Sequence, residues 1–199
     1  MVLAVSPASG VATLAEYAEW LRADPARARI GVSGSGGYLD TWVKLLGREL
    51  GVEFQGVPYR GGRPLINDLQ NNKVSAGVLS LPTALEFHRG GKLRIILTSG
   101  DKPAPFAPKL VTATQAGRPN VASAEWYGFF SARGTPAPVV AEWNFQIRTV
   151  LAQKETAAEL INVGVDIQTS TPEELATRLD DTLVFWKKRV LALGMQSTD

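Results

Sequence analysis

Two hydrophobic periods alternate along the first hundred residues. Short unbroken apolar runs read as buried strands, and stretches with apolar residues every three or four positions read as amphipathic helices. Val2 to Val5 is a run of the first kind, ended by Pro7. Thr13-Leu14-Ala15-Glu16 predicts a capping box, in which the threonine hydroxyl and the glutamate carboxylate each accept a free backbone N–H. The helix that follows carries Leu14, Tyr17, Ala18 and Leu21 on one face and ends at Asp24-Pro25. Arg29 to Ser33 reads as a strand and Gly34-Ser35-Gly36-Gly37 as a tight turn. The next helix turns Leu39, Trp42, Val43, Leu46 and Leu50 inward and stops near Gly51.

The pattern then repeats. Glu53 to Pro58 is a strand, Tyr59-Arg60-Gly61-Gly62 a loop, and Pro64 to Leu69 a helix with proline at its start. Val74 to Ser80 is a buried strand, Pro82 to Phe87 a helix, and Leu93 to Ser99 another strand. Such alternation predicts parallel strands with helices on both faces. Asp101 to Asn120, with Pro103, Pro105, Pro108 and Pro119, reads as a long surface connection. Trp126 to Ala132 is an apolar strand pattern broken by Gly134. Thr135-Pro136 predicts the cap of a helix bearing Val139, Val140, Trp143, Ile147 and Val150. Thr156 to Ile161 is a short helix and Val165 to Thr169 a strand. A second capping box, Thr171-Pro172-Glu173-Glu174, opens a helix with Leu175, Leu179, Leu183, Trp186 and Val190 on one face. Trp20, Trp42, Trp143 and Trp186 fall on helical apolar faces and read as core. There is no tandem repeat of fixed period.

Composition narrows the chemistry. The 199 residues are 45% hydrophobic and 20% charged, the profile of a folded globular chain. Net charge is only +2, and the one basic run, Lys187-Lys188-Arg189, reads as a solvated helix face, so no nucleic-acid partner is expected. There is no cysteine, which removes disulfides, thiolate catalysis and Cys-based metal sites. No apolar run reaches the length of a bilayer span. Met1 to Pro7 has neither the basic start nor the apolar length of a signal peptide. The single histidine, His88, stands near a helix C-terminus, and no metal site, cofactor or catalytic constellation is expected.

Three loops carry the candidate chemistry. Ser33, Gly34, Ser35, Gly36 and Gly37 join a strand to a helix, an arrangement that directs backbone N–H groups and a helix dipole at one spot. This is no dinucleotide fingerprint, since the third glycine would fall at Leu39, and no Gly-Lys-Ser/Thr follows. Ser35 is no nucleophile elbow, because Ser33 stands where the first glycine belongs. An anion site and an empty tight turn both remain open here. Tyr59, Arg60 and Gly61 follow the next strand; Arg60 is either a carboxylate partner or a plain surface arginine. Ser80, Leu81, Pro82 and Thr83 again bring a strand end to a helix start, with simple capping by Ser80 as the other reading. All three loops fall at the carboxyl ends of strands, where open α/β sheets bind ligands. Trp126, at the start of its strand pattern, is a candidate cleft wall.

The order of motifs resembles the Bug family, the solute-binding components of tripartite tricarboxylate transporters. The matching stretches are Ser33-Gly34-Ser35-Gly36, Val57-Pro58-Tyr59-Arg60-Gly61, Leu81-Pro82-Thr83-Ala84-Leu85, Gly91-Lys92-Leu93-Arg94 with Thr98-Ser99, Trp126-Tyr127-Gly128-Phe129-Phe130, and Gly134-Thr135-Pro136. The resemblance implies an α/β, periplasmic-binding-protein-like fold of type II, a Venus flytrap with a small carboxylate held between lobes. It implies a periplasmic location and membrane transporter subunits as partners. Residues 1–124 would form the second ligand-binding lobe, and residues 125–199 the crossover strand and the C-terminal part of the first.

The chain departs from the family pattern in places. A serine or threonine and then a histidine are usual where Gly37 and Asp40 stand, and acidic residues where Leu79 and about Ser75 stand. The family pattern also begins about a hundred residues earlier, the order of one small lobe. With that stretch missing, Trp143, Ile147, Leu183 or Trp186 would be exposed, self-association would follow, and carboxylate binding would be weak or lost. Two other readings stay open: an α/β enzyme acting on an anion at the Gly34–Gly37 turn with Asp40 as its acid or base, and a ligand-free interaction domain.

Overall fold

Val2–Val5, apolar throughout and fully buried, forms β1 and uses both of its edges. The structure is a computed structural model that describes residues 1–34 and 37–194. Two of the turn residues singled out above, Ser35 and Gly36, lie outside the described residues. The chain divides into two units, Met1–Glu125 and Trp126–Asp199.

In the first unit, β1 is followed by α1 (Leu14–Ala23), β2 (Arg29–Ser33), α2 (Tyr38–Leu50), β3 (Gln55–Tyr59), α3 (Gly62–Gln70), β4 (Ala76–Leu79), α4 (Leu81–Arg89) and β5 (Arg94–Thr98). The sheet order is β3-β2-β4-β1-β5. As expected, β2 pairs in parallel with β3 and β4. The expectation of a wholly parallel sheet fails at β1, which is antiparallel to both β4 and β5. Strand–helix alternation sets the direction of strands joined by one helix crossover. It says nothing of a strand inserted between two others formed later in the chain.

Val2 and Ala4 pack with Leu65, Ile66 and Leu69 of α3, Leu85 of α4, and Leu79, Leu93 and Ile95. The period of two puts Leu3 and Val5 on the other side of the sheet, also fully buried. Trp42 of α2 is fully buried, and its indole N–H donates to the Val121 carbonyl at 2.8 Å. Gly31 of β2 and Gly77 of β4 are register partners, and both leave room for Leu65. A Cβ on Gly31 would stand 2.0 Å from Leu65 Cδ1 and 3.1 Å from the Tyr59 ring. α2 stops as expected, with Gly51 in the left-handed region at φ 66°.

Several local expectations change. The Thr13 hydroxyl caps Glu16 N–H, but the Glu16 carboxylate accepts from Ala12 rather than Thr13. α3 starts at Gly62, so Pro64 sits inside its first turn. Asp101 to Asn120 has no helix or strand of length, yet it is not merely a surface strap. Thr112 bridges to Thr98, and Ala107, Leu110 and Ala113 are buried.

The second unit holds α5 (Ala137–Leu151), α6 (Lys154–Asn162) and α7 (Pro172–Ala192). The capping box at Thr171 forms in full, with bonds of 3.2 and 2.8 Å. The simple cap expected at Thr135 does not form, because that hydroxyl donates to the Ala132 carbonyl. Neither expected strand, Trp126 to Ala132 or Val165 to Thr169, is present. A strand needs a neighbour, and no described residue of this unit offers one. The core reading holds fully for Trp42 alone; Trp20 and Trp186 are half-buried and Trp143 is exposed. None of the three helices buries a side chain among the described residues.

Gly31→Ala should destabilise the first unit by about 1–3 kcal/mol, the usual range for an overpacked core. Urea unfolding measures it. Adding Leu65→Val, which retracts the clashing Cδ1, should recover part of that loss.

Candidate functional site

The parallel strands β2, β3 and β4 deliver Ser33, Tyr59 and Ser80 to one edge of the sheet, as the sequence implied. The Gly34 N–H donates to the Tyr59 carbonyl at 2.9 Å, which ties the first loop to the second. A Cβ on Gly62 would lie 2.3 Å from Thr83 Cγ2, so the second loop is seated on the start of α4. The Ser33, Tyr59 and Ser80 loops are thereby brought together. Gly34 has φ 126°, a region open to glycine and strained for other residues. Gly61, at φ 95°, turns the second loop with its N–H on the Tyr59 carbonyl at 2.9 Å.

Each side chain then takes a definite role. The Tyr59 hydroxyl donates to Asp68 Oδ2 at 3.0 Å, and its ring lies against Gly31, so Tyr59 is braced within the fold. Partial burial and the adjoining Asp68 carboxylate raise the phenol above its ordinary pKa. Lys73 Nζ, 3.0 Å from Asp68 Oδ1, leads the interactions that hold the Asp68 carboxyl below its ordinary value. Ser80 Oγ and Thr83 Oγ1 share a hydrogen bond of 2.8 Å, so Ser80 does not cap a backbone N–H of α4. The start of α4 keeps free N–H groups, and Leu81 and Pro82 frame it half-buried. Arg60 is exposed with no ion pair among the described residues. Arg63, one turn further and not singled out from the sequence, is exposed and unpaired in the same sense. Its signal was the Arg-Gly-Gly-Arg spacing, which sets one cation on the loop and the next in the first turn of α3.

Asp40 is engaged rather than poised. Its Oδ2 accepts the Gly37 N–H at 3.3 Å, closing the start of α2. Tyr38, the first residue of α2, donates its hydroxyl to Glu125 Oε1, and Glu125 also meets the Met1 amine at 3.1 Å. His88 Nδ1 accepts the Ile95 N–H at 3.4 Å, a structural contact. Among the described residues no group of His, Cys, Asp and Glu is arranged to hold a metal ion. Trp126 belongs to the second unit. Its indole N–H donates to Thr182 Oγ1 at 3.1 Å, and the Arg178 guanidinium sits 5.4 Å from the ring centre. Among the described residues, one surface concavity lies along α5 beside Thr169 in the second unit and another between Lys44 and Phe54 in the first.

These loops on a mixed, mostly parallel sheet define an α/β, periplasmic-binding-protein-like chain. It belongs to the tripartite tricarboxylate transporter family receptors, TctC, which it matches over residues 1–195. The Bug resemblance stands with it: BugT of Bordetella pertussis is 23% identical over 195 residues, 98% of this chain and 60% of BugT. Among solved structures, R. palustris Rpa4515 with adipate is 25% identical with a TM-score of 0.89, covering 97% of this chain and 64% of that one. MatC (Rpa3494) from Rhodopseudomonas palustris with bound malate is 26% identical with a TM-score of 0.81, covering 95% and 65%. The chain thus spans less than two thirds of these relatives. The family is one of solute-binding receptors, which implies work outside the cytoplasm. No helix among the described residues is long and apolar enough to cross a membrane.

The Tyr59–Asp68–Lys73 link should make stability depend on acid. A carboxyl lowered in the folded state contributes above its ordinary value of 3.8 and loses that contribution as pH falls through the folded value. Asp68→Asn should lower the melting temperature at neutral pH and flatten its fall as pH drops below 3.8. Melting curves across that range check it.

Proposed function

We propose that this chain captures a small carboxylate for a transporter of the tripartite tricarboxylate type and catalyses no reaction. The observation that carries the reading is the convergence of the three strand-end loops, tied by the Gly34–Tyr59 bond, beside Arg60 and Arg63, which make no ion pair among the described residues. Free N–H groups at a helix start and exposed guanidinium groups both favour a carboxylate. Adipate and malate in two similar solved proteins support that ligand class. In this reading Ser33, Gly34, Ser35, Gly36, Gly37, Tyr59, Arg60, Gly61, Ser80, Leu81, Pro82, Thr83 and Trp126 form the ligand surround. Tyr59 acts through its backbone, since its hydroxyl is held by Asp68. Residues 1–124 act as the second ligand-binding lobe and residues 125–199 as the crossover and part of the first, in the periplasm, with membrane transporter subunits as partners.

The enzyme reading is weaker on a specific ground. Its acid or base, Asp40, is committed to the Gly37 N–H as a helix cap.

Titration of the isotope-labelled chain with adipate, malate, citrate, glutamate and benzoate, followed by amide NMR, tests the proposal. At least one acid should give saturable shifts at Gly34, Gly61 and Thr83. Arg60→Ala should weaken that binding about tenfold or more, the value of a charge-assisted hydrogen bond. Shifts with none of these acids would overturn the carboxylate assignment.

A further inference from the structure

β3 is the edge strand of the sheet, with β2 as its one strand neighbour among the described residues. Its last two residues are Pro58, which has no N–H, and Tyr59. A ladder holds an edge strand from one side alone, so its end needs another restraint to keep one position. Two loops depend on that position. The Tyr59 carbonyl accepts the Gly61 N–H at 2.9 Å. It also accepts the Gly34 N–H at 2.9 Å, a proton shared with the Val32 carbonyl at 3.0 Å. One peptide oxygen therefore joins the first loop to the second.

The side chain of the same residue supplies the restraint. The Tyr59 ring lies beside Gly31 of β2, and its hydroxyl donates to Asp68 Oδ2 on α3 at 3.0 Å. That bond closes a ring of chain from residue 59 to residue 68, which contains Gly61 and Gly62. Glycines lose more conformational freedom than other residues when they are fixed, so a clamp across them removes that freedom before a ligand arrives. Asp68 makes a firm far end for the clamp. Leu65, Ile66 and Leu69 of the same helix are buried in the core. Asp68 Oδ1 meets Lys73 Nζ at 3.0 Å, and the Asp68 carbonyl accepts the Lys73 N–H at 2.9 Å. Packing against Gly31 needs the ring; the hydroxyl is needed for Asp68.

We infer that Asp68 and the Tyr59 hydroxyl are a positioning pair for the ligand loops. Their hydrogen bond fixes the Tyr59 carbonyl and so presets the turns at Gly34 and Gly61. Neither group touches the ligand in this assignment; both act through the Tyr59 peptide. A loop set in advance spends less binding energy on ordering, so loss of the pair weakens binding without removing any ligand contact. The consequence for affinity rests on the carboxylate reading above, whereas the consequence for the loops of the free chain does not.

Hydrogen exchange of the free 199-residue chain, followed by amide NMR, tests the pair without a ligand. Tyr59→Phe and Asp68→Ala should each quicken exchange at Gly34 and Gly61 about tenfold beyond any change at Val78, whose amide reports wider opening of the sheet. The double variant should match either single one, since both remove the same bond. Asp68→Asn keeps a hydrogen-bonding group for the phenol in either amide orientation and should retain most of the protection. Lys73→Met removes the ion pair but not the Tyr59 bond, and should leave both glycines as they are in the parent chain. With malate as the probe, the dissociation constant should rise about tenfold in Tyr59→Phe and Asp68→Ala and stay level in Lys73→Met. Unchanged exchange at the two glycines in Tyr59→Phe and Asp68→Ala would overturn the pair. So would equal quickening in Lys73→Met, the mark of a general loosening of α3. Quickened loops with unchanged malate affinity would overturn the role in binding. A parent chain that does not bind malate would count against malate as the ligand, and the exchange data would still decide the pair.

Discussion

The first unit depends on β1 lying between β4 and β5 with every backbone edge engaged. Its residues are fully buried, pair with Leu79 to Gly77 on one side, and with Thr98 to Arg94 on the other. Remove it, and β5 loses its only neighbouring strand among the described residues while β4 becomes an edge. The place where the chain leaves the unit is tied to the same strand. Ser99 N–H donates to the Met1 carbonyl, Ser123 N–H to the Ser99 carbonyl, and the Ser99 hydroxyl to the Ser123 carbonyl. Trp42 fastens α2 to Val121 beside this knot. Sheet, helix and exit are thereby fixed together by paired backbone groups, while the buried Ser123 hydroxyl has no hydrogen-bond partner among the described residues.

The parallel half of the sheet inherits that rigidity. β2 lies between β3 and β4, so its loop is flanked by theirs, and all three emerge at one edge. Gly31 and Gly77 let α3 approach through Leu65, and that approach brings Gly62 down onto Thr83. The loop geometry thus follows from packing below the loops. An interior glycine pair costs strand stability in the abstract and here sets the height of a helix above the sheet.

Much of this was legible in the residues. β1 and β2 fall on the bounds that the apolar runs implied, and the Gly51 and Thr171 signals mark real helix ends. These features are local: a cap or a stop is decided within one turn of chain. What was not legible depends on partners remote in sequence. The direction of β1 is set by strands formed 73 to 96 residues later. The pattern from Trp126 to Ala132 has strand propensity but no neighbour, and propensity without pairing leaves an irregular stretch. At the site, the three loops were legible because strand ends and glycine turns are local signals. The role of Tyr59 was not, because the Asp68 that holds its hydroxyl lies on α3 and carries no motif. Arg63 was missed because its significance lies in making no ion pair among the described residues, a property of the fold.

The charge around the α2 start bears on how the proposed ligand would be held. Asp40 satisfies Gly37 N–H and brings a negative charge to the place where a helix dipole would otherwise attract a carboxylate. Two like charges at one helix start repel, and the partial positive charge there is already matched. The start of α4 has no acidic residue in its first turn, and Thr83 stands against the loop that carries Arg60. Under the proposed function, then, a carboxylate is drawn toward α4 and the arginine loop and away from α2. A ligand group set beside Asp40 would be a hydrogen-bond donor, such as a hydroxyl or an ammonium, rather than a second anion. The same residue that weakens one anion position therefore favours ligands that carry a donor next to their carboxylate.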